Sequence, residues 1–148
     1  QRNIWERPGR GRSPPPIHVI VSLHKAIEEH AAEGGVAGRG GRYAENCRIP
    51  IDGMRSLGFR TLLPDALQAP IIVTFHMPSD PKFAFQDFYD RLKERGYVIY
   101  PGKLTVADSF RIGCIGRLDA GHMRGVVQAV REILAEMGVS RTAPAQAA

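Results

Sequence analysis

Cysteine is nearly absent from this 148-residue chain: Cys47 and Cys114 are the two that occur, and they form no CxxC pair. That excludes a disulfide framework, and two lone cysteines read as reduced thiols of a cytoplasmic protein. Long hydrophobic runs are missing too. None approaches the roughly 20 apolar residues that cross a bilayer, so no membrane partner is expected. The first residues carry Arg2, Glu6 and Arg7 with no apolar stretch behind them, which does not suit a secretory signal. Aromatic residues make up 7% of the chain, and they do not alternate with basic residues as in an RNA-binding surface. A net charge of +5 and a pI near 9.6 could suit nucleic acid. Many of the arginines, however, fall in the first dozen residues, and the others are spread among acids along helical segments. The expectation is a solvated basic surface and no nucleic-acid partner.

What is present is enough for one ordinary core: 43% of the residues are hydrophobic, and a chain of this length is by default one domain. Residues 1–16 form a basic, Gly- and Pro-rich arm without a period. From Ile17 the pattern is helical, with Ile17, Ile20, Val21, His24 and Ile27 at three-and-four spacing after Pro16 and Gly34-Gly35 as the stop. His18, His24 and His30 lie on this helix and read as packed or half-exposed residues, not as metal ligands.

A second helix is expected from about Val36 to Leu57, closed by Gly58. Pro50 should kink or break it at Ile49, at a cost of about 3 kcal/mol if the helix continues. Phe59–Leu63 and Ile71–Phe75 are short strand candidates, and His76 at the end of the second reads as structural. A helix follows from Phe85 to Arg95, with Phe85, Phe88, Tyr89 and Leu92 on one face and Gly96 as terminator. The last helix repeats Met123, Val126, Val127, Val130, Ile133, Leu134 and Met137, with Asp119 as cap and Gly138 as stop. Residues 140–148 have no period and are expected to be disordered.

The stretch with most chemistry in it runs from Gly96 to Gly116. Two β-rich runs, Tyr97–Tyr100 and Ser109–Ile115, flank a loop containing Pro101-Gly102, a dipeptide that marks reversals. Side-chain alternation sets Phe110 and Ile112 on one face of the second run and Arg111 and Gly113 on the other. A guanidinium is permanently charged and presents a planar fork to carboxylate, phosphate or phosphonate oxygens, so Arg111 is a candidate anion clamp. A strand arginine paired with a surface carboxylate is the plainer alternative. Together these elements give an α+β domain, a mostly antiparallel sheet covered by helices on one side.

Several of these segments, in order, resemble the C-terminal part of the 2-aminoethylphosphonate–pyruvate transaminase family, which are class V, fold-type-I pyridoxal-phosphate aminotransferases. They are Gly34-Gly35-Val36-Ala37, Arg42-Tyr43 with Asn46, Gly53 to Phe59, Pro70-Ile71-Ile72, Phe88 to Lys93, Tyr97 to Thr105 and Phe110 to Gly116. The resemblance spans nearly everything from Ile17 to Val139, and it implies the small C-terminal domain of such an enzyme.

The resemblance also implies an activity: amino transfer from 2-aminoethylphosphonate to pyruvate, giving phosphonoacetaldehyde and alanine, in a cytoplasmic homodimer. Transamination requires a lysine that holds pyridoxal 5'-phosphate as a Schiff base, an acid against the pyridine nitrogen, and anion binders. In the family the lysine and the acid belong to a large domain upstream, so the expectation is that this chain holds no catalytic residue and is inactive alone. Lys103 falls where the family has a loop lysine and is not taken as a replacement. By the resemblance, Arg111 binds the anionic end of the substrate. A family threonine that reaches the neighbouring subunit's cofactor phosphate has no match here, and Ser13 is a weak stand-in. Two alternatives stand beside this reading: another class V transaminase, such as an alanine–glyoxylate type, and a stand-alone module that binds a small anion through Arg111.

Overall fold

The computed structural model describes residues 16–103 and 108–144. They fall into two compact units, which divide between Arg39 and Gly40. In the first unit, α1 (Ile17–Ala32) runs where the apolar period predicts, and none of its residues is buried. Ile17, Val19, Ile20, Val21, Leu23 and Ile27 are all exposed, a continuous apolar stripe facing away from any core of its own. Gly34 and Gly35 have positive φ, 93° and 65°, and this left-handed pair separates α1 from the next helix. His24 is exposed beside Glu28 at 3.3 Å, an i, i+4 pair on the helix surface.

Helix α2 (Gly35–Ser56) continues through Pro50. The break expected at Ile49 does not occur. Pro50 is buried, and its ring is among the fully enclosed side chains of the molecule. Apolar burial there offsets part of the cost of the missing backbone donor.

In the second unit, a short 3-10 turn (Asp65–Leu67) precedes β1 (Ile72–His76). Then come α3 (Phe85–Glu94), β2 (Tyr100–Lys103), β3 (Asp108–Gly113) and α4 (Ala120–Met137). The sheet has three strands in the order β1-β3-β2, and both pairings are antiparallel. The α+β expectation holds, with three local corrections, the first being that the expected run Tyr97–Tyr100 is strand only at Tyr100, where β2 begins. Phe59–Leu63 makes no strand and contributes a single bridge between Thr61 and Phe75. Pro101-Gly102 does not reverse the chain. It lies inside β2, where Pro101 stands opposite Phe110 and Gly102 opposite Ser109. An edge strand tolerates a proline because its missing donor can face outward. A Cβ at Gly102 would also collide with the Ser109 hydroxyl, so the close strand approach requires glycine.

One face of the sheet is buried. Phe75 and Phe110 stack across β1 and β3 with centroids 5.7 Å apart, and Phe88 of α3 meets Phe110 edge-on at 5.6 Å. Val126, Val130 and Ile133 of α4 complete this core with Met54 of α2. Helix α4 is set at both ends: the Asp119 side chain accepts from the backbone N–H of Gly121 and His122, and Gly138 closes it at φ 67°. Between α2 and α4 the Gly53 backbone packs against the Val127 side chain, since a Cβ at Gly53 would lie 2.6 Å from Val127 Cγ1.

The tail is not free from Ser140 onward, contrary to the expectation of disorder. Asp80 Oδ2 accepts from the backbone N–H of Ser140 and of Arg141, each at 3.0 Å. The Thr142 hydroxyl donates to the Leu57 carbonyl, and Ser79 N–H donates to the Ala143 carbonyl at 3.0 Å. Residues 145–148 lie outside the described residues, as do 1–15.

Candidate functional site

Arg111 sits in the middle of β3, the central strand, and is half-buried. Its neighbours Phe110 and Ile112 enter the core, so alternation turns Arg111 to the opposite sheet face. Its Cα partners are Thr74 on β1 and Tyr100 on β2. The surface carboxylate of the plainer reading is not found: among the described residues the guanidinium has no hydrogen-bond or ion-pair partner. On the same face Gly113 leaves open space, since a Cβ there would meet nothing within 4 Å.

The segment that follows β3 is fixed by two α2 residues one turn apart. Arg42 Nη1 donates to the carbonyls of Gly116 and Leu118, each at 2.7 Å. Asn46 Nδ2 donates to the carbonyls of Cys114 at 3.2 Å and Leu118 at 2.9 Å. Asn46 is fully buried. These four bonds tie the end of the Arg111 strand to α2. In the sequence the two residues are visible only as part of the resemblance, because nothing local pairs position 46 with position 114.

Cys47 and Cys114 meet at the same junction, both free and buried. Burial pushes the Cys114 thiol up to about 12, with the neighbouring Cys47 adding to the shift. Burial also raises Cys47. Both are structural thiols in this environment.

Of the other residues singled out in the sequence, Ser13 lies outside the described residues, and so does the side chain of Lys103. A lysine that holds pyridoxal phosphate needs a sheltered position with an acid and a phosphate cradle near it. Lys25 is exposed beside Glu28 at 3.7 Å, and Lys82 and Lys93 are exposed as well. The described residues therefore do not fit a pyridoxal-phosphate site by themselves. Among them, no group of three or more His, Cys, Asp or Glu is arranged to hold a metal ion, and no helix is long and apolar enough to cross a membrane.

The fold is that of aminotransferases. A pyridoxamine–pyruvate aminotransferase from Mesorhizobium loti superposes with a TM-score of 0.77 at 18% identity, covering 95% of this chain and 36% of that one. An alanine–glyoxylate aminotransferase from Nostoc sp. gives 0.74 at 19% identity, covering 84% and 33%. No family model matches the chain.

Sequence identity narrows the class to a particular group. The chain is 50% identical over 139 residues to a 2-aminoethylphosphonate–pyruvate transaminase of Pseudomonas fluorescens, covering 94% of this chain and 38% of the relative. It is 51% identical over 133 residues to the enzyme of the same name from Cupriavidus necator, covering 90% and 35%. The chain is thus homologous to the C-terminal part of the 2-aminoethylphosphonate–pyruvate transaminases and spans little more than a third of their length.

Proposed function

We propose that this chain supplies the small C-terminal domain of a pyridoxal-phosphate-dependent transaminase that moves the amino group of 2-aminoethylphosphonate to pyruvate, giving phosphonoacetaldehyde and alanine. The observation that carries this reading is the identity of half the residues, over 94% of the chain, to an enzyme of that name. When bound, pyridoxal phosphate supplies the electron sink for amino transfer. The lysine and the acid that hold it belong to the upstream large domain. The part played by this chain is Arg111, which binds the anionic end of the substrate and so fixes where the amino group sits. The latch of Arg42 and Asn46 holds the end of that strand in place.

The exposed apolar stripe of α1 suits this reading, because a face of that kind is ordinarily covered by further protein. The cover is the large domain of the same polypeptide. The complete enzyme acts as a cytoplasmic homodimer.

The test is to incubate the chain with pyridoxal phosphate, reduce with borohydride and map any labelled lysine. The expected result is no specific label, because the cofactor-holding lysine lies elsewhere. Stoichiometric label at Lys103 would overturn the assignment of the chemistry to the large domain.

A further inference from the structure

Resting on that reading of Arg111, we propose that Thr74 and Tyr100 complete with it a subsite for a tetrahedral anion, and that this row selects a phosphonate over a carboxylate. The register carries the inference. Thr74 and Tyr100 are the direct Cα partners of Arg111 on its two sides. Directly opposed residues of antiparallel strands project from the same face, with Cβ atoms about 4.5–5.5 Å apart. A guanidinium is thus flanked by an aliphatic hydroxyl and a phenol in one row across the sheet. The adjacent row holds His76, Ser109 and Gly102, and the row on the other side holds Ile72 and Gly113. No acidic residue stands in any of the three rows.

The polar groups of this face are also unengaged. Among the described residues, the side chains of Thr74, His76, Tyr100 and Arg111 make no hydrogen bond or ion pair. The Ser109 hydroxyl, one row over and fully buried, has no partner either. Tyr100 is 61% exposed and Thr74 and Arg111 are half-buried, so these uncommitted donors are open to an anion arriving from solvent.

The chemistry of the acceptor follows from the donors. A planar fork pairs with both coplanar oxygens of a carboxylate, one N–H to each, within a single plane. A phosphonate has three oxygens on a tetrahedral phosphorus, and once the fork holds two of them the third lies off its plane. Hydroxyls on either flank can donate to that third oxygen. A carboxylate has no third oxygen for them to reach.

The experiment uses the chain itself, titrated by amide NMR with 2-aminoethylphosphonate and with β-alanine, which has the same amine and a carboxylate in place of the phosphonate. Expected are perturbations at Thr74, Tyr100 and Arg111, with tighter binding of the phosphonate. Thr74→Val and Tyr100→Phe keep the shape of the strands, and each should weaken phosphonate binding by roughly five- to tenfold while leaving β-alanine unchanged. Arg111→Gln should lose both ligands. If both hydroxyl variants weaken the two ligands alike, or neither, the row is overturned while the Arg111 anchor stands. If Arg111→Gln binds as well as the wild type, the anchor itself is wrong. No perturbation by tens of millimolar of either ligand would also overturn the row, and would leave the transaminase reading to the activity of the complete polypeptide.

Discussion

The side-chain amide of Asn46 donates to the Leu118 carbonyl at 2.9 Å and to the Cys114 carbonyl at 3.2 Å, tying α2 to the segment that leaves β3. Both acceptors lie about seventy residues further along the chain. Replacing Asn46 with Leu removes the donors and leaves those carbonyls to find other partners. The cost should be about 1–3 kcal/mol in urea unfolding, with faster amide exchange in the segment from Cys114 to Leu118.

Gly53 allows α2 and α4 to touch. A methyl group at this position would meet the side chain of Val127, and overpacking of that kind typically costs about 1–3 kcal/mol. Gly53→Ala should therefore lower the unfolding midpoint. Pairing it with Val127→Ala should recover part of the loss, which a simple gain in helix propensity at residue 53 would not produce.

The tail clasp gives a pH dependence of known sign. The backbone N–H groups of Lys82, Ser140 and Arg141 hold the Asp80 carboxyl down to about 2. The folded value lies below the unfolded one of about 3.9, so the contribution is complete above the unfolded value and is lost as pH falls through the folded one. Residues 140–143 should stay docked at neutral pH and release between about pH 4 and 2, read from the amide signals of Ser140 and Arg141. Asp80→Asn should release them already at neutral pH.

Burial raises both Cys47 and Cys114 above the ordinary thiol range. Only the thiolate attacks a disulfide reagent. Ellman's reagent should therefore find neither residue at neutral pH in the native chain, and both once urea unfolds it. Fast native reaction would mean that the junction of α2 and β3 opens more readily than its packing implies.

Helices were the legible part of this sequence. The apolar period, Asp119 and Gly138 place α4 to within a residue or two, because capping and amphipathic spacing are local signals. The strands were less so. Pro101-Gly102 reads as a turn by local chemistry, and only its place on the edge of a three-stranded sheet makes it part of β2. Phe59–Leu63 has the composition of a strand but pairs at Thr61 alone.

Long-range contacts decided what the sequence could not show. The order of residues 140–143 depends on Asp80 and Ser79, and the continuity of α2 through Pro50 depends on a core that encloses the ring. Arg111 was visible as a candidate from strand alternation. Its companions Thr74 and Tyr100 were not, because a row across a sheet exists only once the register is known.

The most direct test of the account is the rate at which the complete polypeptide containing this chain forms alanine from pyruvate and 2-aminoethylphosphonate, compared with its Arg111→Ala variant. Loss of a charge-assisted anion contact of this kind costs about 2–4 kcal/mol of transition-state binding, so kcat/KM should fall by roughly 30- to 1,000-fold, with pyridoxal-phosphate content unchanged. Unchanged kcat/KM for 2-aminoethylphosphonate in the variant, or no alanine formed by the wild type, would contradict it.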